Sequence, residues 1–340
     1  MTKFIIPFLL SFLLTTFFIS VLIYLAGKIK WAIRKERRHI HKGKVYRVGG
    51  IGMALAFFLT VFFNADLVIT PELYGLLIGS LVIMAVGFWD DYKEMHWKAQ
   101  LFSQIAVAFF IFIMGVRIYY VTNPLNGGIL QMDSGFLVII ATFLVIFWII
   151  LVTNAINWLD GIDGLSGGIT LISSVTIFFL SLKAEVNQPP VAIIAAAFAG
   201  VIMSFLVFNF YPSRVLAGTS GAFFMGVVLS TLAVFSGTKI ATALLVLAIP
   251  IMDLIWVIGE RLKNKKSIFK ADRKHLHYKL MELGWSQKKI VAYYYLATIL
   301  VAIVALNTRV IGKSVTLLAA GIIMIGIWLF INKKTKGKID

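Results

Sequence analysis

Three clusters of polar side chains in this chain have the types and spacing to do phosphate chemistry. The densest is Asn154-Ala155-Ile156-Asn157-Trp158-Leu159-Asp160-Gly161-Ile162-Asp163-Gly164-Leu165. It sets Asp160 and Asp163 three residues apart, with the amides of Asn154 and Asn157 just upstream and apolar runs on both sides. Carboxylates at such a boundary are costly unless they bind something. The glycines let backbone N–H groups approach a ligand. The alternative is a loop in which Asp163 caps the next helix. The second cluster is Asp90-Asp91, directly after Gly87-Phe88-Trp89. Adjacent carboxylates repel unless a cation is near. A hard ion held by carboxylates and substrate phosphates fits them, and so does a pair of interfacial acids marking a span end. The third is Arg273, His275 and His277, which suit phosphate contacts. The two histidines would not share a helix face, but an extended turn lets them converge.

Weaker candidates flank these. Lys44 and Arg47 precede Gly49-Gly50, and most of their neighbouring charge is explained by topology and lipid headgroups. Gly218-Thr219-Ser220-Gly221 opens an apolar run, as an anion nest or a plain turn.

The elements that must position these residues are membrane helices. The chain has 340 residues, 60% of them apolar, and a mean hydropathy of +0.93, well above a soluble domain. The expectation is an all-α polytopic membrane protein, one integral membrane domain over residues 1–340. Eleven apolar stretches have spanning character: 4–26, 48–65, 72–89, 99–121, 136–153, 166–183, 190–208, 221–236, 240–258, 290–307 and 313–331. The first is too long for a signal-peptide core and reads as a span. With the N-terminus outside, 26 of the 32 Lys and Arg residues fall on the inner side and six on the outer. The positive-inside rule therefore predicts N-out and C-in.

All the chemical clusters then face the cytoplasm, in loops 27–47, 90–98, 154–165, 209–220 and 259–289. The longest outer connection, 122–135, reads as a turn or hairpin. The net charge of +17 is spent on topology and headgroups, so nucleic acid is not expected as a partner. With no Cys, disulfides and Cys-based metal sites are excluded.

Together these loops resemble the polyprenyl-phosphate N-acetylhexosamine-1-phosphate transferases (the WecA/TagO group, more distantly MraY). The matching pieces are Gly87-Phe88-Trp89-Asp90-Asp91, the Asn154–Leu165 string, Asn209-Phe210-Tyr211-Pro212, Pro250-Ile251-Met252-Asp253, and Ala271-Asp272-Arg273-Lys274-His275-Leu276-His277-Tyr278. Order and spacing agree over residues 25–290. The resemblance implies ten or eleven spans and a cytoplasmic site at a bacterial inner membrane. It implies transfer of a sugar phosphate, GlcNAc-1-phosphate by default, from a UDP-sugar to undecaprenyl phosphate. UMP leaves, and envelope glycan synthesis begins. The implied cofactor is Mg²⁺, with Mn²⁺ as a substitute; the implied partners are the donor, the lipid acceptor, membrane lipids and, compatibly, a second copy as homodimer. Asp90 and Asp91 would lie near the metal and the attacking phosphate, and Asn157 would help hold the metal. Asp160, Gly161, Ile162 and Asp163 would meet the nucleotide, with Asn154, Lys44 and Arg47 as further substrate contacts. Arg273, His275 and His277 would hold the diphosphate.

Three positions depart from that pattern. Gly218-Thr219-Ser220-Gly221 stands where the family has Gly-Asp-Ser/Thr-Gly, so a metal-ligating carboxylate is replaced by a hydroxyl. Tyr46 replaces a Pro, and Tyr278 replaces the second His of His-x-His-His. Thr219 motivates a second reading, a weakened paralogue that binds substrate as a scaffold or regulator. A transporter or channel would instead place acids at mid-span; only Asp253 lies about two turns inside one.

Overall fold

The computed structural model describes residues 1–28, 45–122, 128–235, 240–268, 274–308 and 310–336. Its helices follow the apolar runs: α1 (Thr2–Lys28), α2 (Gly49–Phe62), α3 (Pro71–Tyr92), α4 (Trp97–Ile113), α5 (Phe136–Leu159), α6 (Leu165–Ser181), α7 (Pro189–Asn209) and α8 (Gly218–Phe235). Then come α9 (Ile240–Val246), α10 (Ala248–Lys263), α11 (Leu276–Glu282), α12 (Gln287–Asn307) and α13 (Val310–Lys336). Seven helices among the described residues are long and apolar enough to cross a membrane. The α9–α10 pair, bent by 73°, is an eighth if it forms one broken span. Three shorter apolar helices, α2, α4 and α6, accompany them. The protein is a helical polytopic membrane protein.

The one β element among the described residues is a short antiparallel hairpin, β1 (Tyr120–Thr122) with β2 (Ile129–Gln131), at the connection read as a turn or hairpin. The apolar stretch 99–121 is helical only in part. Its helix stops at Ile113, and Gly115 adopts a left-handed φ of +104° before the hairpin starts. Hydropathy averages over such a turn and does not see it. The stretch 240–258 breaks after Val246 because Pro250, in the first turn of α10, cannot donate to residue 246 and its ring crowds that carbonyl.

Helix ends follow the expected chemistry. Thr70 accepts from the N–H of Leu73, Pro71 is the first residue of α3, and Glu72 lies in its first turn. The two central helices, α7 and α8, are almost wholly enclosed by the others. With lipid outside, helices adhere by close packing and hydroxyl bonds. Ser11 of α1 donates to Ala197 O of α7 at 2.7 Å, and Ser174 of α6 to Ala195 O at 2.8 Å. The Trp148 indole of α5 donates to Ser230 O of α8 at 3.0 Å. One contact sets the site: at Gly87 a Cβ would lie 2.6 Å from the Ser220 backbone. Only glycine lets the last turns of α3 cross the start of α8 this closely.

Candidate active site

That crossing delivers Asp90 and Asp91 to the N-terminus of α8. Asp91 Oδ1 accepts from the N–H of Thr219 at 2.9 Å. Its Oδ2 accepts from the N–H of Ser220 at 3.0 Å and from its hydroxyl at 2.8 Å. The Arg47 guanidinium lies 3.7 Å from Oδ1. An acid at the end of α3 is disfavoured by that helix's own dipole, and the positive end of α8 offsets this. Gly218, with φ +68°, makes the turn that clears space for the carboxylate. Asp90 is bound from its own side: Oδ1 accepts from Met95 N at 2.8 Å and from Gln100 Nε2 at 2.7 Å, and Oδ2 from the Thr219 hydroxyl at 2.8 Å.

The Asn154–Leu165 string forms the end of α5, a glycine turn and the start of α6. Asp160 follows α5, and its Oδ1 accepts from Ser166 Oγ at 2.5 Å. Burial pushes its carboxyl up to about 6, the negative charges of Asp91 and Asp163 add to this, and Ser166 and Arg47 oppose it. Asp163 does not cap α6; Gly164 stands there, with a left-handed φ of +79°. Instead Asp163 Oδ2 accepts from Ser213 N at 3.0 Å. Asn209 ties the same two loops, accepting from Gly164 N and donating to Val215 O. Asn154, expected at the substrate, has its amide bonded to Gln104 Oε1 at 2.6 Å and Ile150 O at 2.8 Å. It locks α4 to α5, because a half-buried amide between helices is cheaper satisfied locally. Asn157, one turn on, makes no side-chain hydrogen bond among the described residues and is half-buried.

The histidines pack against this turn. Gly161 has no room for a Cβ, which would sit 2.4 Å from His277 Nε2. Tyr278 Oη donates to Gly161 O at 3.4 Å. His275 Nδ1 bonds Asp253 Oδ2 at 2.8 Å, and Asp253 Oδ1 accepts from Leu276 N at 2.8 Å. The mid-helix acid therefore anchors the His loop to α10. Trp158 lies between the His275 ring, 5.4 Å away edge-on, and the Arg261 guanidinium, 4.9 Å over its face. His275 and His277 stack at 5.7 Å and 8°, so they do converge. Ile162 is buried in the core beneath the turn. Lys44 and Arg273 lie outside the described residues.

Sequence reasoning missed Gln100, Arg261 and Ser166 as supports. Arg261 had one signal: it falls on the Asp253–Val257 face of α10, all three buried.

Residues 73–237 match the model of glycosyl transferase family 4. A phospho-N-acetylmuramoyl-pentapeptide-transferase of Bacillus pumilus is 30% identical over 320 residues, covering 89% of this chain and 95% of that protein. The chain belongs to glycosyl transferase family 4. Other relatives of this family member carry different names. A probable undecaprenyl-phosphate N-acetylglucosaminyl 1-phosphate transferase of Bacillus subtilis is 26% identical, over 90% of this chain and 85% of its own. A decaprenyl-phosphate N-acetylglucosaminephosphotransferase of Mycobacterium leprae is 28% identical, over 86% and 81%.

The donor set of this glycosyl transferase suits a magnesium ion completed by substrate phosphates rather than a preformed cage. No three carboxylate or imidazole side chains converge at ligand spacing among the described residues. Magnesium commonly takes one or two carboxylates plus phosphates and water. Asp90 Oδ2 and Asp91 Oδ1 each retain acceptor capacity beyond the one protein donor hydrogen-bonded to each. Asp160 is held among like charges, where a cation is electrostatically favoured.

His277 carries a pH prediction. It is fully buried, neither ring nitrogen has a partner, and burial pushes it down to about 3, with His275 adding and Asp253 opposing. Its folded pKa lies below the unfolded value of 6.5, so the unfolded chain binds the proton first. Stability is then lost as pH falls below 6.5. Between pH 7 and 5 the loss is about 2 kcal/mol. Thermal denaturation of His277→Phe in detergent should show a correspondingly flatter dependence over that range than the wild type. Equal slopes refute the assignment.

Proposed function

We propose that this protein transfers a sugar-1-phosphate from a UDP-sugar to a polyprenyl phosphate and releases UMP. The observation that carries this reading is the juncture of Asp90 and Asp91 at the α8 N-terminus with the Asp160 turn and the His275–His277 loop packed on it. The names of the relatives support it, because they describe phosphosugar transferases and include undecaprenyl- and decaprenyl-phosphate enzymes. UDP-GlcNAc is the proposed donor. Eleven spans, N-out and C-in, with the site at the cytoplasmic face of a bacterial plasma membrane, complete the proposal; the charge asymmetry supports it. Such a site meets a soluble donor and a lipid acceptor at one boundary.

In the reaction, an oxygen of the acceptor phosphate attacks the sugar-linked phosphorus of the donor. The bond to the UMP oxygen breaks, and one diphosphate replaces another without ATP. Several negative charges must approach, so positioning and charge neutralisation dominate. Magnesium, when bound, would be held by Asp90, Asp91 and Asn157 and would neutralise phosphate oxygens. His275, oriented by Asp253 through Nδ1, keeps Nε2 for a phosphate. Arg273, with Lys44 and Arg47, would add cationic contacts. Buried and uncharged, His277 shapes the pocket wall against Gly161 and offers a neutral donor.

Purified protein in nanodiscs with UDP-GlcNAc and undecaprenyl phosphate should release UMP only with Mg²⁺ present. Asp253→Asn should lower kcat by about tenfold, since the His275 orientation is weakened while the charge partner is lost. No UMP release with any UDP-sugar would overturn the reading. Thr219 favours one alternative, a binder with weak turnover. UDP-GlcNAc binding without product would then be seen.

A further inference from the structure

The turn that carries Asp160 and Asp163 is held from one more side, by a residue the reaction scheme does not use. Tyr295, half-buried on α12, donates its hydroxyl to Gly164 O at 2.5 Å. Gly164 precedes α6, and its N–H donates to Asn209 Oδ1 at 2.9 Å. Gly164 is thus gripped at its N–H from the end of α7 and at its carbonyl from α12.

The sequence makes room for this grip at a cost. Ser166 is followed by Gly167-Gly168 in the first turn of α6, where alanine would favour the helix. A Cβ at Gly168 would lie 1.9 Å from the Tyr295 hydroxyl and ring, and one at Gly167 would lie 2.9 Å from Leu206 of α7. The two neighbouring helices close on the start of α6 from two sides. The phenol reaches Gly164 because residue 168 has no side chain. Helix formation does not need this donor, since Gly164 O already accepts from Gly168 N at 3.0 Å. The second bond fixes where the turn lies rather than pairing an orphan carbonyl.

We propose that Tyr295 is a positioning residue for Asp160, an inference that rests on the transfer reaction proposed above. The route is short. Holding Gly164 holds the start of α6, which carries Ser166, and Ser166 Oγ donates to Asp160 Oδ1 at 2.5 Å. A helix outside the Asp and His motifs therefore sets the place of a carboxylate inside them. Small misplacements of a reacting group cost rate, and a locked supporting layer is what prevents them.

Tyr295→Phe keeps the ring in its notch and removes only the donor. In nanodiscs with UDP-GlcNAc, undecaprenyl phosphate and Mg²⁺, its kcat for UMP release should fall about tenfold. The KM for UDP-GlcNAc should stay within about twofold, and the melting temperature within about 3 degrees. In a Ser166→Ala background the same substitution should lower kcat no further, because the link it acts through is already cut. An unchanged kcat, an equal fall in the Ser166→Ala background, or a loss of activity that tracks a loss of melting temperature would each overturn the proposal. Hydrogen–deuterium exchange separates it from the reaction itself. Peptides covering residues 160–168 should exchange about tenfold faster in Tyr295→Phe, with the rest of the chain unchanged. That rise in a wild type that releases no UMP would sink the transfer reading and support the hold of Tyr295 on the turn. Unchanged exchange would sink the hold even in an active enzyme.

Discussion

Asp160→Asn should cut UMP release by about a thousandfold while leaving the protein as stable as the wild type or more so. The two effects part because of where the carboxylate lies. Its Oδ1 takes the Ser166 hydroxyl, and an asparagine oxygen can do the same. Burial and the nearby Asp91 and Asp163 hold its pKa at about 6. A raised folded value means that ionisation opposes folding: the penalty is present above pH 6, shrinks as pH falls through 6, and is gone below the unfolded value of 3.8. The neutral amide removes it at neutral pH. In the proposed reaction activity has no such relief, because the amide would no longer supply the negative charge that favours a bound cation. UMP release and melting temperature, measured on one preparation, check both halves. A variant that loses activity together with ten or more degrees of melting temperature would show Asp160 to be structural.

The charged residues were the legible part of this molecule. Asp90, Asp91, Asp160 and Asp163 stand beside apolar runs, where their cost is visible in one dimension. Their partners were less legible. Asp91 is satisfied by two backbone N–H groups 128 and 129 positions away, and backbone donors leave no mark in a residue pattern. Asp253 looked misplaced inside a span until its helix proved to be broken. The 73° bend aims α10 so that Asp253 reaches His275 across 22 residues. Asn154 has the opposite character: it shares a motif with Asn157, one helical turn on, and the motif gives no sign that its amide bonds Gln104 of α4. Short helices such as α2, 14 residues long, blurred the span pattern, because hydropathy measures average apolarity and not how far a helix runs before it turns.

Thr219→Asp is the second large expected effect, and its sign depends on magnesium. In this chain the Thr219 hydroxyl donates to Asp90 Oδ2, and its N–H donates to Asp91. An aspartate there replaces a donor with a third negative charge beside two others. Like charges a few ångströms apart cost several kcal/mol when partly desolvated. Without divalent cations the variant should therefore melt well below the wild type. Magnesium should restore it, since three carboxylates at one helix N-terminus bind a hard cation more tightly than two. The concentration of Mg²⁺ giving half-maximal UMP release should fall by about tenfold. Turnover at saturating Mg²⁺ should change little, because Asp90, Asp91 and the substrate phosphates then complete the shell in both proteins. A large rise in saturated turnover would instead identify the natural chain as an impaired enzyme whose missing ligand is this carboxylate. Melting curves with and without Mg²⁺, beside a magnesium titration of UMP release, separate the two outcomes.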